Sequence, residues 1–160
     1  MVYSVIYYKK QVKVYFPKDR WVGMNFQYGV GDYTTEWDTE KGVFKTSLWG
    51  DTLTQINMEL TSAEADTIWN KMQEIEFFNY PDLLEFPVGT RDDSVELVQY
   101  TYEMRFTHKT KWLVWEKHLF TENQKAKELR ELGWLIREII ANKPEFKAVA
   151  KISTGTDLIN

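Results

Sequence analysis

"ELVQYTYEMRFTHKTKWLVWEKH", residues 96 to 118, alternates apolar and polar side chains on both sides of the polar segment HKTK. One side of its first half carries Val98, Tyr100, Tyr102, Met104 and Phe106, and the other carries Gln99, Thr101, Glu103, Arg105 and Thr107. A period of two is typical of a strand with one buried face. The stretch therefore predicts a β-hairpin with one face against a core and the other in water.

This hairpin holds both histidines of the chain. A turn at HKTK places His108 at the tip and His118 opposite a residue near Thr101, about 23 Å from the tip at roughly 3.3 Å per residue. Because metal–nitrogen bonds are about 2 Å long, the two histidines do not share an ion within one subunit. The chain has no cysteine and no HExxH motif. We therefore expect no metal site, and because GVGD at residues 29 to 32 lacks the third glycine of a dinucleotide fingerprint and no P-loop occurs, we expect no cofactor.

The period of two continues through residues 12 to 60 and predicts five short antiparallel strands. One face there carries Val22, Met24, Phe26, Tyr28 and Val30. After Leu60 the period becomes that of a helix, beginning at the capping box TSAE, residues 61 to 64. The apolar stripe of this helix is Ala65, Ile68, Trp69, Met72 and Ile75, and Pro81 predicts its end.

A second capping box, TENQ at residues 121 to 124, begins a longer helix that we expect to end before Pro144. Its stripe is Ala126, Leu129, Leu132, Ile136, Ile139 and Ile140. Residues 82 to 95 are predicted to form a loop. The sequence thus predicts one α+β domain over residues 1 to 160, with an antiparallel sheet of about six or seven strands and two helices packed on one face.

The charge is unevenly distributed along a chain of net charge −4. Residues 1 to 21 are basic and include several tyrosines, a combination that can bind single-stranded nucleic acid. Lysines also protect sheet edges against pairing with other chains. We favour this second role and disfavour nucleic acid as a partner, because the acidic remainder repels a polyanion. No apolar run is long enough for a transmembrane segment.

Paired carboxylates offer one catalytic hypothesis. Glu36 and Asp38 lie two residues apart on a predicted strand, followed by Glu40 in the turn. Such a pair can serve a carboxylate-dependent hydrolase. A solvated hairpin end explains the same residues and is the interpretation we favour.

Aromatic residues are the strongest positive signal. Seven tryptophans exceed what one small core requires, and Trp112 and Trp115 fall on opposite faces of a predicted strand. At least one of this pair is therefore exposed, or covered by another part of the chain. We predict Trp112, Trp115, Trp37 and Trp49 as binding residues for an unknown protein or glycan, since exposed tryptophan is typical of protein interfaces and sugar-stacking surfaces. The alternative is that they cover a thin two-layer core.

The stretch LTSAEADTIWNKMQEIEFFNYPD, residues 60 to 82, resembles uncharacterised bacterial α+β domains that commonly occur as envelope lipoproteins. In these domains a strand enters a capped helix that closes on paired phenylalanines and Tyr-Pro. The residues that carry the resemblance are Leu60, Thr61, Glu64, Ile68, Ile75, Phe77, Phe78, Tyr80 and Pro81, and NKPEFK at 142 to 147 is similar to the segment after the final helix. The resemblance implies a fold and an envelope setting but no catalytic residues.

We therefore predict a non-enzymatic binding or structural module. Carbohydrate binding by exposed tryptophans is the first alternative, and a carboxylate-dependent hydrolase is the second. The envelope setting requires a leader before Met1, because the chain has no cysteine for lipid attachment. Without such a leader, we expect a cytoplasmic protein.

Overall fold

A computed structural model of the chain describes residues 16–30, 33–47, 53–84, 98–117 and 124–153. The strands within these residues are Trp21–Val30 (β1), Tyr33–Asp38 (β2), Val43–Thr46 (β3), Thr54–Asn57 (β4), Leu83–Leu84 (β5), Val98–Phe106 (β6) and Lys109–Lys117 (β7). The α-helices of the described ranges are Ser62–Glu74 (α1), Gln124–Asn142 (α2) and Pro144–Ser153 (α3). The predicted α+β class is confirmed.

All seven strands form one sheet in the order β4-β3-β2-β1-β6-β7-β5. The six longer strands pair antiparallel with their neighbours, and the two-residue strand β5 pairs parallel with β7. Strands β1 to β4 form the predicted meander. A fifth meander strand, expected to begin near residue 12, involves residues 12–15, which lie outside the described residues.

The hairpin of β6 and β7 has a tighter turn than the sequence suggested. Phe106 pairs with Lys109, so Thr107 and His108 are the two turn residues. Thr101 therefore lies opposite Val114, and the expectation that it lies near His118 is wrong. The reason is that Lys109, Thr110 and Lys111, which seemed polar enough for a turn, continue the second strand.

A β-bulge near the start of β1 corrects a second expectation. Trp21 pairs with Phe106 and Gly23 with Arg105, which leaves Val22 as the extra residue. The Val22 side chain is 49% exposed and does not share the buried face of Met24. The bulge lets Trp21 pack inward on Trp69 of α1, with their ring centroids 5.8 Å apart.

Helix α1 begins at the predicted capping box. The Glu64 amide donates to the Thr61 hydroxyl at 3.3 Å, and the Thr61 amide donates to the Glu64 carboxylate at 2.9 Å. Both bonds satisfy amide groups that lack partners within the first turn. The helix buries Ile68, Trp69 and Met72 from its predicted stripe against the sheet.

Helix α2 packs closely on the sheet through Gly133. A Cβ atom at this position would lie 2.8 Å from the Tyr102 hydroxyl, which donates to the Leu129 carbonyl. The predicted stripe is confirmed for Ala126, Leu129, Leu132, Ile136 and Ile140, all of which are buried. Residues 121–123 of the second capping box lie outside the described residues. Within the described part of the chain, no helix is long and apolar enough to cross a membrane.

A third helix, α3, corrects the prediction of two. Pro144 ends α2 as expected, but it also begins α3, because proline is tolerated at the first position of a helix. Between the two helices the buried Lys143 ammonium donates to the Glu59 carbonyl and to the Glu64 carboxylate, both at 2.6 Å. This contact fixes the α2–α3 junction against the start of α1.

The prediction of a loop over residues 82 to 95 is wrong near the start of that range. Leu83 and Leu84 form β5, a strand too short to show periodicity in the sequence. The buried Lys111 ammonium holds the segment that leads into β5, donating to the Tyr80 carbonyl at 2.6 Å and to Asp82 at 2.7 Å. Residues 85–95 lie outside the described residues.

Candidate functional site

The sheet face opposite the buried core is called the open face. Cross-strand pairing places two rows of side chains on it. The first row is Trp112, Glu103, Asn25, Asp38, Val43 and Asn57, and the second is Val114, Thr101, Gln27, Glu36, Lys45 and Gln55. Because side chains alternate between the faces of a strand, the polar positions of the sequence pattern form this surface.

A hydrogen-bonded chain connects the middle of the two rows. The Asn25 amide donates to the Glu36 carboxylate at 2.6 Å, and the Gln27 amide donates to the Asn25 side-chain carbonyl at 3.0 Å. Lys45 lies 3.7 Å from the same Glu36 carboxylate. These contacts orient both amides and leave the polar middle of the open face ordered.

Arg105 is the centre of a second cluster. Its guanidinium donates to Glu103 at 2.9 Å, to Asp38 at 3.1 Å and to Glu40 at 3.0 Å. Glu40 reaches Arg105 because the turn after β2 folds over Gly23, where an added Cβ would lie 3.1 Å from the Glu40 Cβ. A glycine at position 23 is what allows the turn to approach this closely.

The charges in this cluster reinforce one another. Burial tends to raise the pKa of Asp38, but hydrogen bonds from Lys41 and Arg105 outweigh burial and lower it. Hydrogen bonds that Arg105 donates to Glu103 raise the pKa of Arg105, against the opposing effect of burial. Asp38 is therefore ionised at neutral pH and paired with a permanent cation.

Trp112 stands at the β7 end of the first row. Its side chain is 47% exposed, and Glu103 is its cross-strand partner. Within the described part of the chain, its indole N–H donates no hydrogen bond and its ring makes no stacking contact. Trp112 therefore presents an apolar ring and an available donor on the open face.

The other predicted binding tryptophans have different places. Trp115 is on the opposite face of β7, as predicted, and is 1% exposed beneath the helices. Trp37 is fully buried, and its indole donates to the Met58 carbonyl at 2.9 Å. Both side chains fill the core, so the expectation that they present exposed rings to a ligand is wrong. Trp49 lies outside the described residues.

The carboxylates of the hydrolase hypothesis both lie on the open face. Asp38 has a lowered pKa and is held by Arg105 and Lys41, so it does not supply the proton that a general acid requires. Glu36 accepts from Asn25 and lies near Lys45. Each contact explains the carboxylate as part of a structural network, and none favours hydrolysis.

The structure describes only some of the residues considered for a metal site and for nucleic-acid binding. His108 is exposed in the β6–β7 turn, and His118 lies outside the described residues. No group of three or more His, Cys, Asp or Glu among the described positions is arranged to hold a metal ion. Of the basic N-terminal segment, Lys18 pairs with Asp66 at 2.7 Å, and Trp21 packs inward on Trp69. Residues 1–15 are outside the described part.

The Arg105 cluster was missed by reasoning from the sequence. Alternation placed Arg105 and Glu103 on the wet face of the hairpin, and it placed Glu36 and Asp38 together on another strand. What joins the two pairs is β1, which lies between β2 and β6 and pairs with both. Strand order is a long-range property, and alternation within one strand carries no signal for it.

Comparisons with known proteins give no identification for this chain: no family model matches it, and no curated protein matches it significantly.

Proposed function

We propose that this protein is a non-enzymatic binding module that engages its ligand on the open face, with Trp112 as the principal contact. The observation that carries the proposal is the half-exposed Trp112 ring on a sheet face whose polar groups are already ordered. Large aromatic side chains supply much of the binding energy at protein interfaces. An ordered surface also loses less conformational entropy when a ligand binds.

A protein component of the bacterial envelope is the ligand class we propose first. The open face is broad and mixes one large aromatic ring with paired charges, which is the usual composition of a non-obligate protein interface. The envelope setting rests on the resemblance of residues 60 to 82 to envelope lipoprotein domains. It is tested by the location and intact mass of the native protein: membrane fractionation and a mass above 19.1 kDa support it. A cytosolic species of unchanged mass contradicts it.

The binding experiment compares purified wild-type protein with Trp112→Ala and with Val22→Ala as a matched control. Val22 is 49% exposed, similar to Trp112, but lies in the bulge of β1. Detergent-solubilised envelope fractions are passed over each immobilised protein, and the retained partner is then titrated. We expect Trp112→Ala to weaken the affinity at least about tenfold, while Val22→Ala does not. Equal retention by all three proteins contradicts the role of Trp112.

Carbohydrate is the second candidate, and one observation favours it. Thr101 and Gln27 lie in the row beside the exposed Trp112, so hydroxyl and amide groups adjoin an aromatic ring. An indole can stack on the apolar face of a sugar while neighbouring polar groups bond its hydroxyls. Tryptophan fluorescence titrated with a broad glycan panel tests this candidate. No change with any glycan removes carbohydrate and leaves the protein partner.

A further inference from the structure

A second surface feature lies on the helix side of the sheet, away from the open face. It is a groove of about 530 Å³ between α2, α3 and the end of β1. The described residues that line it are Tyr28, Trp134, Arg137, Glu138, Ile140, Ala141 and Phe146. A groove of this size is within the range of small-molecule sites in proteins. We call it the Trp134 groove.

Three aromatic rings form the walls of the Trp134 groove. Tyr28 is held in place by Phe26, with ring centroids 5.5 Å apart. Phe146 packs edge-on against the core residue Phe44 at 5.6 Å. Trp134 differs from the other two rings because half of it is accessible to solvent. Contacts with core residues thus hold two of the three rings in place, so a flat ring in the groove would lie between fixed aromatic walls.

Cationic groups lie above two of these rings. The Arg137 guanidinium is 4.7 Å from the centroid of the Tyr28 ring, and the Arg130 guanidinium is 4.7 Å from that of Trp134. Arg137 is exposed and forms no hydrogen bond or ion pair with any described residue. Its N–H donors are therefore available to a ligand in the groove, in a planar arrangement that suits a carboxylate.

Glu138 limits the charge of such a ligand. Its side chain also lines the groove, so its carboxylate offsets part of the positive charge of Arg137. A ligand with a single negative charge is favoured over a dianion, because a second charge would be repelled by Glu138.

We propose that the Trp134 groove is a second binding site, for a small molecule that joins a flat apolar ring to one carboxylate. The ring lies among Tyr28, Trp134 and Phe146, and the carboxylate accepts two hydrogen bonds from Arg137. This site is independent of the binding function proposed for the open face, since the two lie on opposite sides of the sheet.

The test is an NMR titration of the full chain with three aromatic acetates, bearing phenyl, indolyl and naphthyl rings, each paired with its uncharged acetamide. We expect saturable shifts of the Trp134 indole N–H and the Ala141 amide. Each acid should bind about tenfold more tightly than its amide, because a charge-assisted bond replaces a neutral one. Absence of saturable shifts with all three acids overturns the proposal, and so does equal affinity for acid and amide.

Variants assign the two parts of the interaction. Arg137→Gln should remove most of the difference between acid and amide, while Trp134→Ala should weaken both compounds. Val22→Ala is the control, because it changes a residue of similar exposure that does not line the groove and should leave both affinities unchanged. If Arg137→Gln leaves the preference for the acid intact, Arg137 does not hold the carboxylate and the proposed site is wrong.

Discussion

The two faces of the sheet are built from the same strands by different means. On the face beneath the helices, alternate positions carry aromatic residues and methionine, and Met24, Phe26 and Tyr102 are fully buried. On the open face, the intervening positions carry charges and amides that bind one another. In β7 the contrast falls within three residues, since Trp115 is buried and Trp112 is half exposed.

This contrast separates stability from recognition. The helix-covered face gains free energy from apolar area removed from water, so loss of side-chain volume there is costly. The open face holds the polar side chains Asn25 and Asp38, which are nearly inaccessible yet hydrogen-bonded. Its organisation depends on completing those bonds, because an unpaired buried group is destabilising. The exposed Trp112 side chain adds little to the buried apolar area and nothing to the hydrogen bonds of the open face, which leaves it available for a ligand.

The largest expected effect is on the covered face, at Trp115→Ala. Its side chain is 1% exposed and stacks on Tyr100 with centroids 5.1 Å apart. Truncation should reduce the free energy of unfolding by about 3–5 kcal/mol, through lost burial and a residual cavity. Urea denaturation followed by circular dichroism measures this. A loss below about 1 kcal/mol would show that the core tolerates the cavity and that the covered face does not depend on close packing for its stability.

Gly133→Ala tests how closely α2 packs on the same covered face. The new Cβ would lie 2.8 Å from the Tyr102 hydroxyl and 3.0 Å from the Tyr100 ring, so the helix or the tyrosine side chains must shift. We expect a net loss of about 2 kcal/mol, since overpacking outweighs the better helix propensity of alanine. Thermal unfolding of Gly133→Ala, alone and combined with Tyr102→Phe, tests whether the clash with the Tyr102 hydroxyl causes the loss. The loss should be smaller in a Tyr102→Phe background, which lacks the hydroxyl; an equal loss there contradicts this explanation.

On the open face, the largest effect should come from Arg105→Gln. It leaves Glu103, Asp38 and Glu40 close together without their shared cation, and the Asp38 side chain is only 6% exposed. We expect a loss of about 2 kcal/mol, between the values for buried and surface ion pairs. Lys45→Gln is the control, because its pair with Glu36 is longer and more exposed and should contribute less than about 0.5 kcal/mol. Equal effects would mean that the Arg105 cluster is no more than a surface feature.

Lowering the pH should have a smaller effect on the free energy of unfolding. Asp38 has a folded-state pKa below its unfolded value, so its contribution to stability is present above the unfolded pKa and is lost as pH falls through the folded one. Stability measured by urea denaturation from pH 6 downwards should therefore fall once the solution passes about pH 4, the usual range of aspartate. Arg105→Gln should reduce the Asp38 part of this dependence. A pH profile identical in both proteins contradicts the assignment.

Much of this fold could be predicted from the sequence, because its signals are local. The capping box at Thr61 follows from residue types at a fixed spacing, and the stripe of α2 and the opposite faces of Trp112 and Trp115 follow from periods of 3.6 and two. The predictions of helices and strand faces were wrong where one residue has two structural roles or interrupts the alternation of a strand. Pro144 ends one helix and begins another, and Val22 forms a bulge that reverses the alternation.

The candidate surface was predicted less completely, for a different physical reason. The sequence predicted Trp112 and Trp37 alike as binding residues and could not tell the exposed ring from the buried one, since both are tryptophans in alternating strands. Which face lies beneath the helices depends on how all the strands and helices assemble. The same is true of the Arg105 cluster, which requires β1 to lie between β2, which carries Asp38, and β6, which carries Glu103 and Arg105. Local patterns specify faces, and only the tertiary arrangement decides which face is covered.

The smallest expected effect on stability is that of Trp112→Ala. Removing a half-exposed ring from the open face loses little buried area, and no hydrogen bond to a described residue is broken. The free energy of unfolding should therefore change by no more than about 0.5 kcal/mol in urea denaturation. A loss of 2 kcal/mol or so would mean that Trp112 covers part of the sheet in the folded protein. In that case its exposure would no longer mark a binding surface, and the partner would have to be sought elsewhere on the open face.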